Sequence, residues 1–425
     1  MTAPLTITDA DHPRRPLPAA AGAGPDVVIR AGRLEIGPGC TIGPGTVLAG
    51  DTVTLGAGVT IGRGCDLRAG RLSIGPRSEI GAGVTVLAAE AFEVGRAARI
   101  SDQVRVVCRS LVAGTLLYLG HEATVGYGGT TESTATLRLG DRVALGPRTI
   151  VNANHPVDLG DDVGTGSDVT FWTHGYHFGH RLLDGYRATF APIVLEPGVW
   201  LGYHCSVMPG VRVGAGTIVA AGAVVAADLP AGCLAAGVPA KVKSPLRPVP
   251  PEGAAALDAV RDVLAGWAGE LAWKQVPVVA DPGGSAWTVD PGATLGPAHR
   301  VRLVLAAAGP VAGRADLVEV VVALGYEAAH TGPEAAHTGP EAAYAGPNAA
   351  LFLPRTGRLH GATSAVIEDL RDHLRRHALP CGDERCFTSI TPEAFTRLRR
   401  MTAAGPPALQ PAAGRPTPQP MERHP

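Results

Sequence analysis

The stretch IGPGCTIGPGTVLAGDTVTLGAGVTIGRGCDLRAGRLSIGPRSEIGAG, residues 36–83, decides the fold. Ile36-Gly37, Leu55-Gly56 and Ile74-Gly75 stand 19 residues apart. Ile42-Gly43, Ile61-Gly62 and Ile80-Gly81 keep that spacing, as do Leu48, Leu67 and Val86. Each coil is therefore three six-residue steps plus one extra residue. An aliphatic side chain at each step points into a triangular prism, and the glycine after it permits a tight corner. Two positions before the next aliphatic, a small or β-branched residue such as Thr46, Val59, Val199 or Thr217 also fits inside. The pattern predicts a left-handed parallel β-helix of hexapeptide repeats. Working outward, Val94-Gly95 continues the series, and residues 98–136 are less regular. Leu139, Leu145, Val151 and Leu159 resume it, and Leu195, Leu201, Val207, Val213, Val219 and Val225 step by six without a fault. Roughly nine coils at the ~4.8 Å spacing of parallel strands stack to about 40 Å. Low-complexity sequence would not hold aliphatics in register over so many steps.

Composition agrees with such a fold. The chain has 425 residues, 56 glycines and 37 prolines, so turns are frequent. Its formal net charge of -1 gives no reason to expect nucleic acid or an acidic membrane as partner. No apolar stretch is long enough to span a bilayer, and residues 1–25 lack an apolar signal core. The seven cysteines form no CxxC pair, so neither a disulfide framework nor a zinc cluster is implied, and a reducing, cytoplasmic setting is expected.

The six-residue step fails between Thr170 and Leu195, which predicts a long loop over 171–194 leaving a rigid scaffold, where function concentrates. Eight aromatic residues lie between 171 and 203: Phe171, Trp172, Tyr176, Phe178, Tyr186, Phe190, Trp200 and Tyr203. A narrow prism offers them no room, so an outer surface is expected. His174, His177 and His180 share this loop. A structural aromatic cluster or a subunit contact is the plainer alternative to a site.

The run APIVLEPGVWLGYHCSVMPGVRVGAGTIVAAGAVVAADLPAGCLAAGVPAKVK, residues 191–243, resembles the terminal coils of the hexapeptide-repeat acyltransferases. The resemblance covers about residues 27–243. It implies a homotrimer, with acetyl-CoA as acyl donor in the groove between prisms and an acyl carrier protein as the alternative to it. It also implies a hydroxyl or amine acceptor on a small molecule or glycan, and direct transfer assisted by a histidine. On that resemblance His174 is the first candidate for general base, His177 the second and His155, in Asn152-Ala153-Asn154-His155-Pro156, the third. A histidine suits the task because its ordinary pKa near 6.5 lets it accept a proton at neutral pH. Trp200, in the family's Val-Trp position, is expected beside the donor arm. Lys241 and Lys243, two of only three lysines, are expected near the CoA phosphates. Trp172, Tyr176 and Asn152 are the expected acceptor contacts. No metal is expected. A zinc-dependent β-helix carbonic anhydrase and a non-catalytic scaffold are the competing readings.

Beyond a Pro-rich linker at 244–254, a small α/β domain is predicted over 255–401. Leu257, Val260, Leu264, Trp267 and Leu271 follow helical spacing, and so does Ala365–His377, with Thr363 or Ser364 as its start. Apolar runs at 276–280, 301–306, 317–323 and 349–353 read as strands. The repeats EAAHTGP, EAAHTGP and EAAYAGP at 327–347 suit a flexible insertion, and disorder is expected there, in 1–25 and in 402–425.

Overall fold

The computed structural model describes residues 22–126, 132–175, 179, 181–292, 297–304, 317–324, 349–354, 358–361 and 364–377, with 379, 390 and 392 besides. The chain divides into two compact units at Val249/Pro250. The first is a parallel β-helix. Ile42 pairs with Ile61, Ile61 with Ile80, Ile80 with Ile100 and Ile100 with Leu119, so like side chains stack coil upon coil. This first face begins at Gly22–Ala23 and ends with Cys233–Ala236, against which Lys241–Pro245 closes the sheet antiparallel. The solenoid thus starts inside the segment expected to be disordered, whose residues 1–21 lie outside the described residues.

The extra residue of each early coil has a structural home. Val47–Leu55 and Asp66–Ile74 run as unbroken strands across two faces, bending at Gly50 and Gly70. The other corners are tight turns. Ile61, Leu67, Leu72 and Val86 are buried inside, each contributing on the order of 1.5–3 kcal/mol. Cys65 Sγ donates to the Gly81 carbonyl at 3.0 Å, so an inward thiol satisfies a backbone oxygen one coil on.

Three expectations change. The coils over 98–125 are as regular as their neighbours: Val106 pairs with Val86 and with Val125. Asp102 replaces the glycine-type corner, its carboxylate accepting from the Ala82 amide at 2.7 Å, and Gln103 takes the left-handed conformation at φ 62°. The excursion is shorter than 171–194, because Thr170–Trp172 and Ile193–Leu195 still belong to coils. Phe171 is not on an outer surface but fully buried in the prism, flanked in register by the smaller Val151 and Val207, which leave it room.

The second unit is the expected α/β domain. Helix α1 (Gly253–Trp273) starts within the predicted linker, and α2 (Ala365–Arg376) is capped by Ser364, whose Oγ accepts from the Ile367 amide at 3.1 Å. The predicted strands appear at Val278–Ala280, Ala298–Val304, Leu317–Ala323 and Ala349–Leu353, joined by the unpredicted Ala286–Val289 and Arg358–Gly361. Together they form a six-stranded mixed sheet. Trp267, buried on α1, donates from Nε1 to Oδ2 of the buried Asp369 on α2 at 3.0 Å. The insertion 327–347 and the tail 402–425 lie outside the described residues. No helix among the described residues is long and apolar enough to cross a membrane.

Gly50 is the position where the bent corner demands glycine, since a Cβ would sit 2.2 Å from the Ala69 carbonyl oxygen. Gly50→Ala should destabilise the solenoid by about 1–3 kcal/mol, read as a lower midpoint in denaturant.

Candidate active site

The chain leaves the solenoid at Thr173 and rejoins it at Ala191, whose amide donates to the Thr173 carbonyl at 3.0 Å. Above that closure His174-Gly175 and Thr189-Phe190 pair antiparallel as a short stem, with His174 opposite Phe190. The stem stands at the corner after the second face, where Ile150–Asn152 underlies Thr170–Trp172. One coil below, Asn152 is fully buried. Its Oδ1 lies 2.9 Å from His174 Nδ1 and accepts from Thr173 Oγ1 at 3.0 Å. Thr173 is buried too, and accepts the His155 amide at 3.1 Å.

An amide oxygen can only accept, so His174 Nδ1 carries the proton and Nε2 keeps its lone pair. Phe190 stacks on the imidazole with ring centres 5.9 Å apart, and Trp172 meets it edge-on at 6.2 Å. Partial burial among these rings lowers the His174 pKa below the ordinary histidine value. The arrangement offers an imidazole fixed in tautomer and angle, with its proton on Nδ1 and its basic lone pair on Nε2.

The first-choice histidine and two expected acceptor contacts, Asn152 and Trp172, are thus brought together. Asn152 meets the histidine itself. His155 stands on the other side of Phe190, with ring centres 5.9 Å apart. Tyr176, His177 and His180 lie outside the described residues. Thr173 and Asn154 were missed. Counting one coil of 20 residues back from Trp172 reaches Asn152, and that offset is the signal that would have joined the two segments.

The bacterial transferase hexapeptide (six repeats) family matches residues 192–227. Six short strands fall in that window, from Ile193–Leu195 to Val224–Val225. The chain is 31% identical over 126 residues to galactoside O-acetyltransferase of Escherichia coli, covering 28% of this chain and 62% of that enzyme. It is 52% identical over 52 residues to 2,3,4,5-tetrahydropyridine-2,6-dicarboxylate N-acetyltransferase of Staphylococcus aureus, covering 12% of this chain and 22% of that enzyme. A hexapeptide-repeat acetyltransferase of Vibrio cholerae, solved with acetyl coenzyme A, is 29% identical with a TM-score of 0.26, over 31% of this chain and 72% of that one. The solenoid is similar in sequence to hexapeptide-repeat acetyltransferases. The chain spans less than two thirds of the length of the curated relatives named here.

Within the solenoid the expected donor contacts share one sheet. Trp200 is half-exposed and lies over Gly164, where a Cβ would meet its ring at 2.7 Å. Ile218 and Leu234 follow it in register, and the exposed Lys241 and Lys243 lie on the closing strand. That strand is three spacings from Trp200, about 14 Å. Trp200 lies on the first face, whereas His174 lies at the corner between the second and the third, so these groups sit on different sides of one prism. Among the described residues no group of three or more His, Cys, Asp or Glu is placed to hold a metal ion.

Histidine-selective NMR should find His174 as the Nδ1–H tautomer, titrating below 6.5. In Asn152→Ala the single tautomer should give way to exchange between two.

Proposed function

We propose that the chain transfers an acetyl group from acetyl-CoA to a hydroxyl or amine of a small-molecule or glycan acceptor, with His174 as general base. The observation that carries this reading is the buried Asn152 amide oxygen on His174 Nδ1 at 2.9 Å, which dedicates Nε2 to proton transfer. The acceptor's proton passes to Nε2 as its oxygen or nitrogen attacks the thioester carbonyl. The C–S bond then breaks, and the departing sulfur takes the proton back, giving free CoA thiol and regenerating the imidazole. A depressed pKa keeps the base unprotonated at neutral pH. Relatives named as O- and N-acetyltransferases support the reaction class.

The donor's thioester arm is assigned to the Trp200 face and its phosphates to Lys241 and Lys243, whose compact ammonium groups suit phosphate. Because His174 and Trp200 lie on different sides of one solenoid, a complete site needs the His174 corner of one copy against the Trp200 face of the next. A closed homotrimer supplies three such pairings. A cytoplasmic setting fits both the acetyl-CoA supply and the buried free thiols.

Thiol release from acetyl-CoA across a panel of hydroxyl and amine acceptors, with product mass determined, tests the reaction. His174→Ala should lower kcat by about 10²–10⁴-fold. In the wild type, kcat should fall as pH drops through the depressed His174 pKa, because the protonated ring accepts nothing. The acidic limb should therefore lie below pH 6.5. Full activity in His174→Ala would overturn the assignment.

A further inference from the structure

We infer that Gly164 is a positioning residue for the acyl donor. Its missing side chain lets the Trp200 indole lie down on the first face, as a fixed platform for the thioester arm. The inference rests on the assignment of that arm to this face. One outward column runs along the face in register from coil to coil. Thr41, Thr60, Glu79 and Arg99 stand in it, and Tyr118 and Ala144 follow. Gly164 comes next, then Trp200, Ile218 and Leu234. From Thr41 to Leu234, Gly164 is the one member of the column without a side chain.

The backbone does not demand this exception. Gly164 is not among the residues with positive φ, and it pairs with Ala144 and Trp200 as any other strand residue would. What demands it is the ring. A Cβ at Gly164 would stand 2.7 Å from Cε3 and 2.8 Å from Cζ3 of Trp200. Those two indole carbons are its nearest neighbours beyond the adjoining residues. Gly164 is buried although its column faces outward, so the indole is its cover. An added side chain would therefore displace the ring and leave the coil in place.

An indole held down in this way is ordered before any ligand arrives. One side rests on the strand, while the residue as a whole stays half-exposed. The ring leans towards Gly164 and so away from Ile218, the next member of the column, which remains partly exposed. Ile218 and Leu234 then carry an apolar track on to the closing strand with Lys241 and Lys243. A flexible thioester arm gains most from a surface that needs no ordering of its own. A ring tipped off the strand would instead stand across the track.

The test uses the full chain and measures acetyl-CoA binding by calorimetry, without acceptor. Gly164→Thr is the informative change, because Thr41 and Thr60 show that the column accepts that side chain. It should weaken acetyl-CoA binding about tenfold, and Trp200→Ala by about as much, since both remove one aromatic anchor. Gly164→Ala should weaken it less, and adding Trp200→Phe should recover part of that loss, because a phenyl ring lacks the carbons that meet the new methyl. Fluorotryptophan labelling with fluorine NMR gives one signal for each of the five tryptophans, and Trp200→Phe identifies that of Trp200. Gly164→Thr should move this signal and leave the others in place, and acetyl-CoA should move it in the wild type. Wild-type affinity in Gly164→Thr, or an unmoved Trp200 signal, overturns the inference while the donor face stands. Loss in Gly164→Ala that Trp200→Phe does not relieve overturns it too, because the coil and not the ring would then be disturbed. Wild-type affinity in Trp200→Ala, or no binding of acetyl-CoA to the wild type, overturns the donor face and the inference with it.

Discussion

Parallel pairing between successive coils is the constraint on which everything else depends. Each coil has its backbone donors and acceptors satisfied by the coils above and below, as in Gly62 N–H to Ile80 C=O at 2.8 Å and Gly81 N–H to Ile100 C=O at 2.7 Å. A residue therefore stands directly over its counterpart one coil earlier, and an inward position stays inward along the whole stack. Length changes are tolerated only at corners. Nineteen residues separate Ile61 from Ile80 and twenty separate Ile80 from Ile100, the extra one absorbed as a bulge between Ala88 and Ala91, opposite Gly70. The step from Thr165 to Leu201 contains a whole excursion, yet the two residues still pair.

This explains why the fold was legible and where it was not. Ile36-Gly37, Ile42-Gly43 and their successors announce both the inward residue and the corner in two letters. From Ser101 onward the same geometry uses different letters. Asp102 reaches back to the preceding coil's amide, and Asp141 and Asp161 repeat the device at later corners. Gln103, Leu116 and Glu122 adopt left-handed φ without being glycine. The corner had changed its chemistry while the coil had not, so a reading tuned to glycine saw irregularity. Phe171 misled for a related reason. Prism width is set by the residues stacked on either side, and Val151 and Val207 give up the volume that the phenyl ring takes.

The site was legible as a place more than as an arrangement. Failure of the six-residue step marked the loop, and His174 was singled out within it. The group that gives His174 its chemistry lies 22 residues earlier. That separation carries no local motif and becomes adjacency only through the coil offset that pairs Asn152 with Trp172. Asn154 was hidden more deeply. An unsatisfied oxygen is a property of packing, and only coordinates reveal that nothing among the described residues donates to it.

The rigid stack also accounts for the division of labour at this corner. The prism interior is filled by aliphatic side chains and by Phe92 and Phe171, none of which can carry a proton. A proton acceptor must stand outside it, yet a side chain on a long loop would pay heavily in conformational freedom to hold one angle. His174 resolves the conflict by standing one residue beyond Thr173, itself locked to Asn152 in the coil below. The imidazole is thus fixed by the ladder and desolvated by the excursion, through Phe190 returning alongside it. Replacing Asn152 would leave the ring near its place but free to turn. Replacing Phe190 would leave its tautomer fixed but return the ring to water, raising its pKa towards the ordinary value. Orientation and basicity are therefore separable here, because a different segment of the chain supplies each.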